Sequence, residues 1–130
     1  MNKLLFSWLF LLSLTLNAQI TLGAGNTTAG IAPVNTYYNY SYVQQIFTKN
    51  EINANAAGNI TGLKFYLSSS SGITNSSNWV IYLGTTSKTS FTSSSDWVPV
   101  SQLTQVFSGT VTNVNGVVTV VFPVPLLITI

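Results

Sequence analysis

The run "TQVFSGTVTNVNGVVTVVF" (residues 104–122) carries the strongest indication of the fold. Two segments rich in valine, threonine and phenylalanine flank Asn115-Gly116, the dipeptide favoured in two-residue β-hairpin turns because both of its residues tolerate positive φ. The run therefore predicts a hairpin whose strands are joined at Asn115-Gly116.

The segments before this run predict further strands. In "NITGLKFYLSS" (residues 59–69) and "NWVIYLGTT" (residues 78–86), apolar residues recur at every second position, which is typical of half-buried strands. The residues expected to face the core are Leu63, Phe65, Leu67, Trp79, Ile81 and Leu83. With another strand over residues 40–48, the pattern predicts an all-β fold, a jelly-roll-like antiparallel β sandwich.

One short helix is expected after residue 48. Thr48 and Glu51 have the spacing of a capping box, in which each side chain accepts a hydrogen bond from the other residue's backbone N–H. Gly58 is expected to end the helix. We therefore interpret Glu51 as a capping residue rather than a catalytic one.

The first 18 residues predict a secretory signal peptide. Lys3 precedes an apolar stretch over residues 4–16, and Ala18 provides a small residue before the cleavage site. A membrane-anchoring helix is the alternative, but the stretch is shorter than the ~20 apolar residues that span a bilayer. The interpretation is an exported protein whose single domain covers residues 19–130.

The end of the chain is unusual for a finished domain. "FPVPLLITI" (residues 122–130) combines two prolines with an apolar terminus. We expect the domain to be truncated here, with its last strands missing, through either a shortened chain or a shifted reading frame.

Composition excludes several classes of function. The predicted mature chain has three lysines and two acids, Glu51 and Asp96, and lacks the clustered basic face that nucleic-acid binding requires. The sequence has no histidine or cysteine, which removes catalytic triads, disulfides and the usual zinc, haem and iron–sulfur ligands. The sequence predicts neither enzyme activity nor a metal or other cofactor.

Aromatic residues are the remaining candidates for ligand contact. "YYNYSYVQQIFTKNEI" (residues 37–52) would place Tyr38, Tyr40 and Tyr42 on one face of a strand. That face is either the packed entry to the sheet, which we favour, or a binding platform.

The loop "SKTSFTSSSDWVPV" (residues 87–100) adds two candidates, because Pro99 argues against a central strand here. Trp97 is expected to be exposed and able to contact a ligand. Asp96 is interpreted as a turn residue that hydrogen-bonds to its own backbone, with calcium binding as the alternative.

Four stretches together resemble a β-sandwich module of large secreted proteins of Bacteroidota, especially flavobacteria. They are "YNYSYVQQIFTKNEI", "GNITGLKFYLSSSS", "NWVIYLGTTSKTSF" and "SDWVPVSQLTQVFSGTV", and the similarity covers roughly residues 20–121. The final "PVPLLITI" departs from that family's usual continuation.

The resemblance implies an adhesin-like, non-catalytic part of a secreted or cell-surface protein exported by type IX secretion. A glycan or an extracellular protein would be its partner, and downstream domains of the same parent protein would follow it. The alternative is a structural spacer before a catalytic or fibronectin type III-like region. No stable membrane insertion is expected once the signal peptide is removed.

Overall fold

A computed structural model describes residues 19–23, 30, 32–54, 56–67 and 73–128. Over these residues the predicted all-β class with one short helix is confirmed. The helix is α1, Lys49–Ile52, and the five strands are β1, Gly58–Tyr66; β2, Asn78–Leu83; β3, Thr104–Thr110; β4, Asn113–Val114; and β5, Val117–Ile128. The predicted signal peptide, residues 1–18, lies outside the described part.

The strands form two antiparallel sheets in a sandwich-like arrangement. One sheet has the order β1-β5-β4, and the other pairs β2 with β3. Across the sheets, β3 contacts β5. The buried residues of the main core cluster come from both sheets and the segments joining them: Ile73, Trp79, Val106, Val111, Val118, Val120 and Phe122.

Trp79 is a core residue, as predicted. Only 6% of it is exposed, and its ring meets that of Phe65 edge-to-face with centroids 5.4 Å apart. Its Nε1–H donates to the carbonyl oxygen of Ser76 at 2.5 Å. A large buried ring whose polar atom is satisfied gives the two sheets a common packing partner.

The prolines near the chain end are accommodated by an irregularity between β1 and β5. Ile60 pairs with Leu126, but Gly62 pairs with Val121, so Thr61 faces four residues of β5. This bulge takes up Pro123 and Pro125, which cannot donate ladder hydrogen bonds. Residues 126–128 consequently return to register against the start of β1.

The hairpin prediction was right about the turn and wrong about one of its strands. Asn115 and Gly116 have φ values of 52° and 84°, and they join β4 to β5. The expected partner of β5, β3, instead pairs with β2 in the other sheet. The chain changes sheets after β3, where buried Val111 donates its N–H to Ser77 at 2.8 Å.

The predicted strand over residues 40–48 is absent from the structure. The preceding tyrosines are in local turns: Asn35 accepts hydrogen bonds from the backbone N–H groups of Tyr37, through Oδ1, and Tyr38, through its carbonyl. All four tyrosines of residues 37–42 are exposed. The favoured interpretation as a packed sheet entry is therefore wrong, because the rings are exposed and the N–H groups of Tyr37 and Tyr38 bond locally to Asn35 instead of to a neighbouring strand.

The capping-box prediction is confirmed, although the helix is shorter than expected. Glu51 Oε2 accepts from the Thr48 N–H at 2.7 Å, and Thr48 Oγ1 accepts from the Glu51 N–H at 3.3 Å. Asn53 ends the helix in the left-handed conformation, with φ 49°, a position that asparagine tolerates. Gly58, expected to end the helix, begins β1 instead. Within the described residues, no helix has the length and apolar character needed to cross a membrane.

Candidate functional site

The candidate site is built on a contact between two segments without regular structure. The Gln44 side chain brackets one residue of the distant loop: its Nε2 donates to the Val98 carbonyl at 2.7 Å, and its Oε1 accepts from the Val98 N–H at 2.9 Å. This amide thus reproduces the paired bonds of a strand ladder. It fixes residues 96–99 against residues 42–46, although neither segment is a strand.

The Gln44 contact brings three aromatic residues together, here called the Trp97 cluster: Tyr42, Phe91 and Trp97. The Trp97 ring centroid lies 5.0 Å from that of Tyr42 and 6.2 Å from that of Phe91. Gln44 also donates to the Tyr42 hydroxyl at 2.6 Å, which holds that ring in place. Trp97 and Tyr42 remain 44% and 52% exposed, so the cluster presents aromatic surface to solvent.

Asp96 organises the loop beside the cluster. Its Oδ1 pairs with the Lys88 ammonium, and its Oδ2 accepts from the Thr92 N–H at 3.0 Å and from the Thr92 hydroxyl at 2.9 Å. Asp96 thus bonds to the backbone of Thr92, four residues earlier in the same loop. The carboxylate closes the loop on itself, and the ion pair leaves no net charge next to Trp97.

An open cleft of about 140 Å³, here called the Trp97 cleft, lies beside these groups. Its lining residues are Gln44, Phe91, Ser93, Ser94, Asp96 and Trp97. Apolar ring surface therefore lies beside hydroxyl, amide and carboxylate groups. Binding sites for small polar ligands commonly combine an apolar wall with a few polar groups that orient the ligand.

The structure brings together three of the five predicted ligand-contact residues, Tyr42, Asp96 and Trp97. Tyr38 lies apart from them, with its ring edge-on to Tyr37 at a centroid distance of 5.1 Å. Tyr40 is 94% exposed and lines a different cleft. The three tyrosines therefore do not form the single row that a strand would have produced.

Sequence reasoning missed Gln44, Phe91 and Lys88 as parts of this site. Gln44 and Val98 are 54 positions apart, and no periodic pattern links them. Phe91 offered a weak signal, because it is an isolated large apolar residue in a serine- and threonine-rich loop.

Few groups in the described residues are suited to covalent or metal chemistry. The two acids are separately engaged, Glu51 with Thr48 and Asp96 with Lys88. The described residues contain no group of three or more histidine, cysteine or acidic side chains that could hold a metal ion.

Comparison of the chain with protein-family models, curated proteins and solved structures found no match.

The ion pair between Lys88 and Asp96 predicts that the structure of the loop around Trp97 depends on pH. The hydrogen bond from Lys88, followed by those from Thr92, lowers the pKa of Asp96 from 3.8 to about 2. A carboxyl group with a lowered folded-state pKa stabilises the fold fully above its unfolded pKa and loses that contribution as the pH falls through the folded value. We expect Trp97 fluorescence to be constant from pH 7 to about pH 4 and to change between about pH 4 and pH 2.

The control for this titration is Asp96→Asn, which should give the low-pH spectrum of the loop already at pH 7. Glu51 also has a lowered pKa, through its hydrogen bonds from the Thr48 backbone and side chain. A fluorescence change caused by protonation of Glu51 should persist in the Asp96→Asn protein. The variant therefore distinguishes the titration of Glu51 from that of Asp96. A fluorescence change above pH 5 in the wild type would contradict the assignment.

Proposed function

We propose that this domain is a non-catalytic binding module that holds a neutral glycan at the Trp97 cleft. Its biological setting would be adhesion by a secreted or cell-surface bacterial protein. That setting is supported by the signal-like residues 1–18 and by the family resemblance described above. The ligand assignment rests on the site itself.

The observation that carries the proposal is the pairing of exposed aromatic rings with fixed polar groups. A pyranose ring has an apolar C–H face and a rim of hydroxyl groups, so it needs both kinds of contact. Trp97 and Tyr42 supply exposed ring surface within 5.0 Å of each other. Ser93 and Asp96 supply hydroxyl and carboxylate oxygens in the same region, and Gln44, whose two N–H bonds go to Tyr42 and Val98, adds only its Oε1 as an acceptor.

Charge at the cleft favours an uncharged ligand. Asp96 is the only acid among the lining residues, and Lys88 neutralises it. A sialylated or sulfated glycan would find no unpaired cation among the residues that line the cleft. Neutral sugars need none, and their binding should depend little on ionic strength.

The non-catalytic assignment is supported by the engagement of both acids. Glycoside hydrolysis usually requires two carboxyl groups, one of them protonated, on either side of the scissile bond. Here Glu51 belongs to the capping box of α1, whereas Asp96 has a pKa of about 2 and is ionised at neutral pH. Neither group is therefore suited to act as a general acid.

The test is binding of the labelled protein to an array of neutral and acidic glycans, with Trp97→Ala as the variant. We expect the wild type to bind neutral glycans. The variant should lose at least about 30-fold in affinity, the loss of roughly 2 kcal/mol expected when a central aromatic contact is removed. Trp97 is partly exposed but packs against Tyr42 and Phe91, so the variant should melt a few degrees lower while remaining folded at the temperature of the array.

Tyr66→Ala is the matched control, since Tyr66 is an exposed aromatic residue of β1 that lines neither cleft. It should bind as the wild type does. Binding that survives Trp97→Ala would refute the assignment of the site. If no glycan binds, the glycan function is wrong; a protein partner lost on Trp97→Ala would then indicate protein adhesion, and no partner at all would favour the spacer.

A further inference from the structure

A second cleft lies next to the same chain segment as the Trp97 cleft. It has a volume of about 410 Å³ and is here called the Tyr40 cleft. Its lining residues are all uncharged: Asn39, Tyr40, Asn75, Ser76, Ser77 and Asn78. It thus joins the turn that precedes residue 41 to the 3₁₀ helix Thr74–Ser76 and the start of β2.

One wall of the Tyr40 cleft is held by the core. The Ser76 carbonyl accepts from the buried Trp79 ring, and the Ser77 carbonyl accepts from the N–H of buried Val111. The Asn78 Oδ1 accepts from the Thr110 hydroxyl at 2.9 Å, which orients its amide. A preorganised polar wall of this kind loses little conformational entropy when a ligand binds.

Tyr40 also lines the cleft and has the highest exposure among the large hydrophobic side chains described. Tyr40 is 94% exposed, so both faces of its ring are open to solvent. An exposed aromatic ring in the same cleft as several amides and hydroxyls repeats the chemistry of the Trp97 cleft. The Tyr40 cleft therefore suits the same class of ligand.

The two clefts are close because one chain segment contributes to both. Tyr40 lines one cleft, and Gln44, four residues later, lines the other. Their Cα atoms can be at most ~14 Å apart, since an extended chain spans about 3.3–3.6 Å per residue. A single extended ligand could therefore reach both.

Cleft size also indicates an extended ligand. Sites that enclose small molecules usually have volumes of about 300–1,000 Å³. The Trp97 cleft, with about 140 Å³, is below this range and can hold only part of a ligand. The Tyr40 cleft, with about 410 Å³, supplies the missing contact volume.

We propose that the two clefts are subsites of one groove that binds a neutral oligosaccharide of several units, with the Trp97 cleft as the anchoring subsite. This inference rests on the proposed glycan function. The Tyr40 cleft then adds affinity only for ligands long enough to extend past Tyr42. Chain length, rather than the identity of one sugar, becomes a determinant of binding.

The experiment is calorimetric titration of the full chain with β-1,4-linked glucose and N-acetylglucosamine oligomers of one to six units. For the wild type we expect affinity to rise by about tenfold between the shortest oligomer that binds and the hexamer, as for one added aromatic contact. Tyr40→Ala should bind short oligomers as the wild type does and lose the gain with length. Trp97→Ala should lose binding at every length.

Tyr37→Ala is the control, because Tyr37 is exposed near the same segment but lines neither cleft. It should keep the full dependence on length. Binding that requires Trp97 but is unchanged or uniformly weakened in Tyr40→Ala would overturn the groove and leave the glycan function intact. Absence of binding to every oligomer and to the glycan array would overturn both.

Discussion

Replacing Gly62 by alanine is expected to lower the free energy of unfolding by about 3 kcal/mol, the upper end of the usual cost of overpacking. A Cβ atom at this position would overlap the carbonyl oxygen of Val120 and lie 3.3 Å from the Cα of Val121. Both neighbours are backbone atoms of β5, so no side-chain rotation can relieve the overlap. The ladder between β1 and β5 would have to separate locally.

The position of Gly62 makes that separation costly. It is the residue at which β1 resumes regular pairing after the bulge opposite Pro123 and Pro125. On the same stretch of β5, Val118 and Val120 are fully buried. A shift of the β5 backbone there would therefore disturb the centre of the core.

Gly58→Ala is the matched control on the same strand. Gly58 pairs with Ile128, and a Cβ atom there would meet nothing within 4 Å. We expect this variant to be neutral or more stable by about 0.5 kcal/mol, because alanine restricts the unfolded chain. Urea unfolding of both variants measures the difference; equal stabilities would show that the register of β1 against β5 is wrong.

Replacing Gln44 by leucine is expected to cost about 2–3 kcal/mol of stability, because it leaves two buried backbone groups without their partners. Val98 is only 6% exposed, and both its N–H and its carbonyl oxygen bond to the Gln44 amide. Leucine has a similar size but can form neither bond. Because Trp97 immediately precedes Val98, loss of these bonds should also displace the Trp97 ring, and the variant should bind glycan more weakly.

Gln45→Leu is the control, because Gln45 is adjacent and exposed. Its stability should stay within about 0.5 kcal/mol of the wild type, as for most surface substitutions. Gln44→Glu should be intermediate in stability, since a carboxylate keeps the acceptor for the Val98 N–H and loses the donor. If Gln44→Leu unfolds at the same urea concentration as Gln45→Leu, the bracketing contact does not anchor the loop.

Predictions from the sequence succeeded where neighbouring residues carry the information. Alternation of apolar residues indicated β1 and β2 and assigned Trp79 to the core. The spacing of Thr48 and Glu51 indicated the capping box, and Asn115-Gly116 indicated the turn. Each of these features depends on contacts within a few residues along the chain.

Predictions failed where the structure depends on pairing between segments that are distant in the sequence. The tyrosines of residues 37–42 have strand-like composition, but the turn at Asn35 takes the N–H bonds of Tyr37 and Tyr38, and all four rings are exposed. The candidate site also depends on a contact between distant segments. Tyr42 and Trp97 were separate candidates, and the contact between Gln44 and Val98 joined them.

Over the described residues, the sequence by itself determined the all-β class, the short helix after Thr48, the exposed loop around Trp97 and the scarcity of charge. Only the tertiary structure decided that β3 pairs with β2, that the prolines lie in a bulge of β5, and that two clefts border residues 39–44. The physical reason is that turns, caps and strand faces are set by local hydrogen bonds and side-chain periodicity. Sheet pairing and cleft formation depend on which distant surfaces exclude water together, and many pairings satisfy the same local pattern.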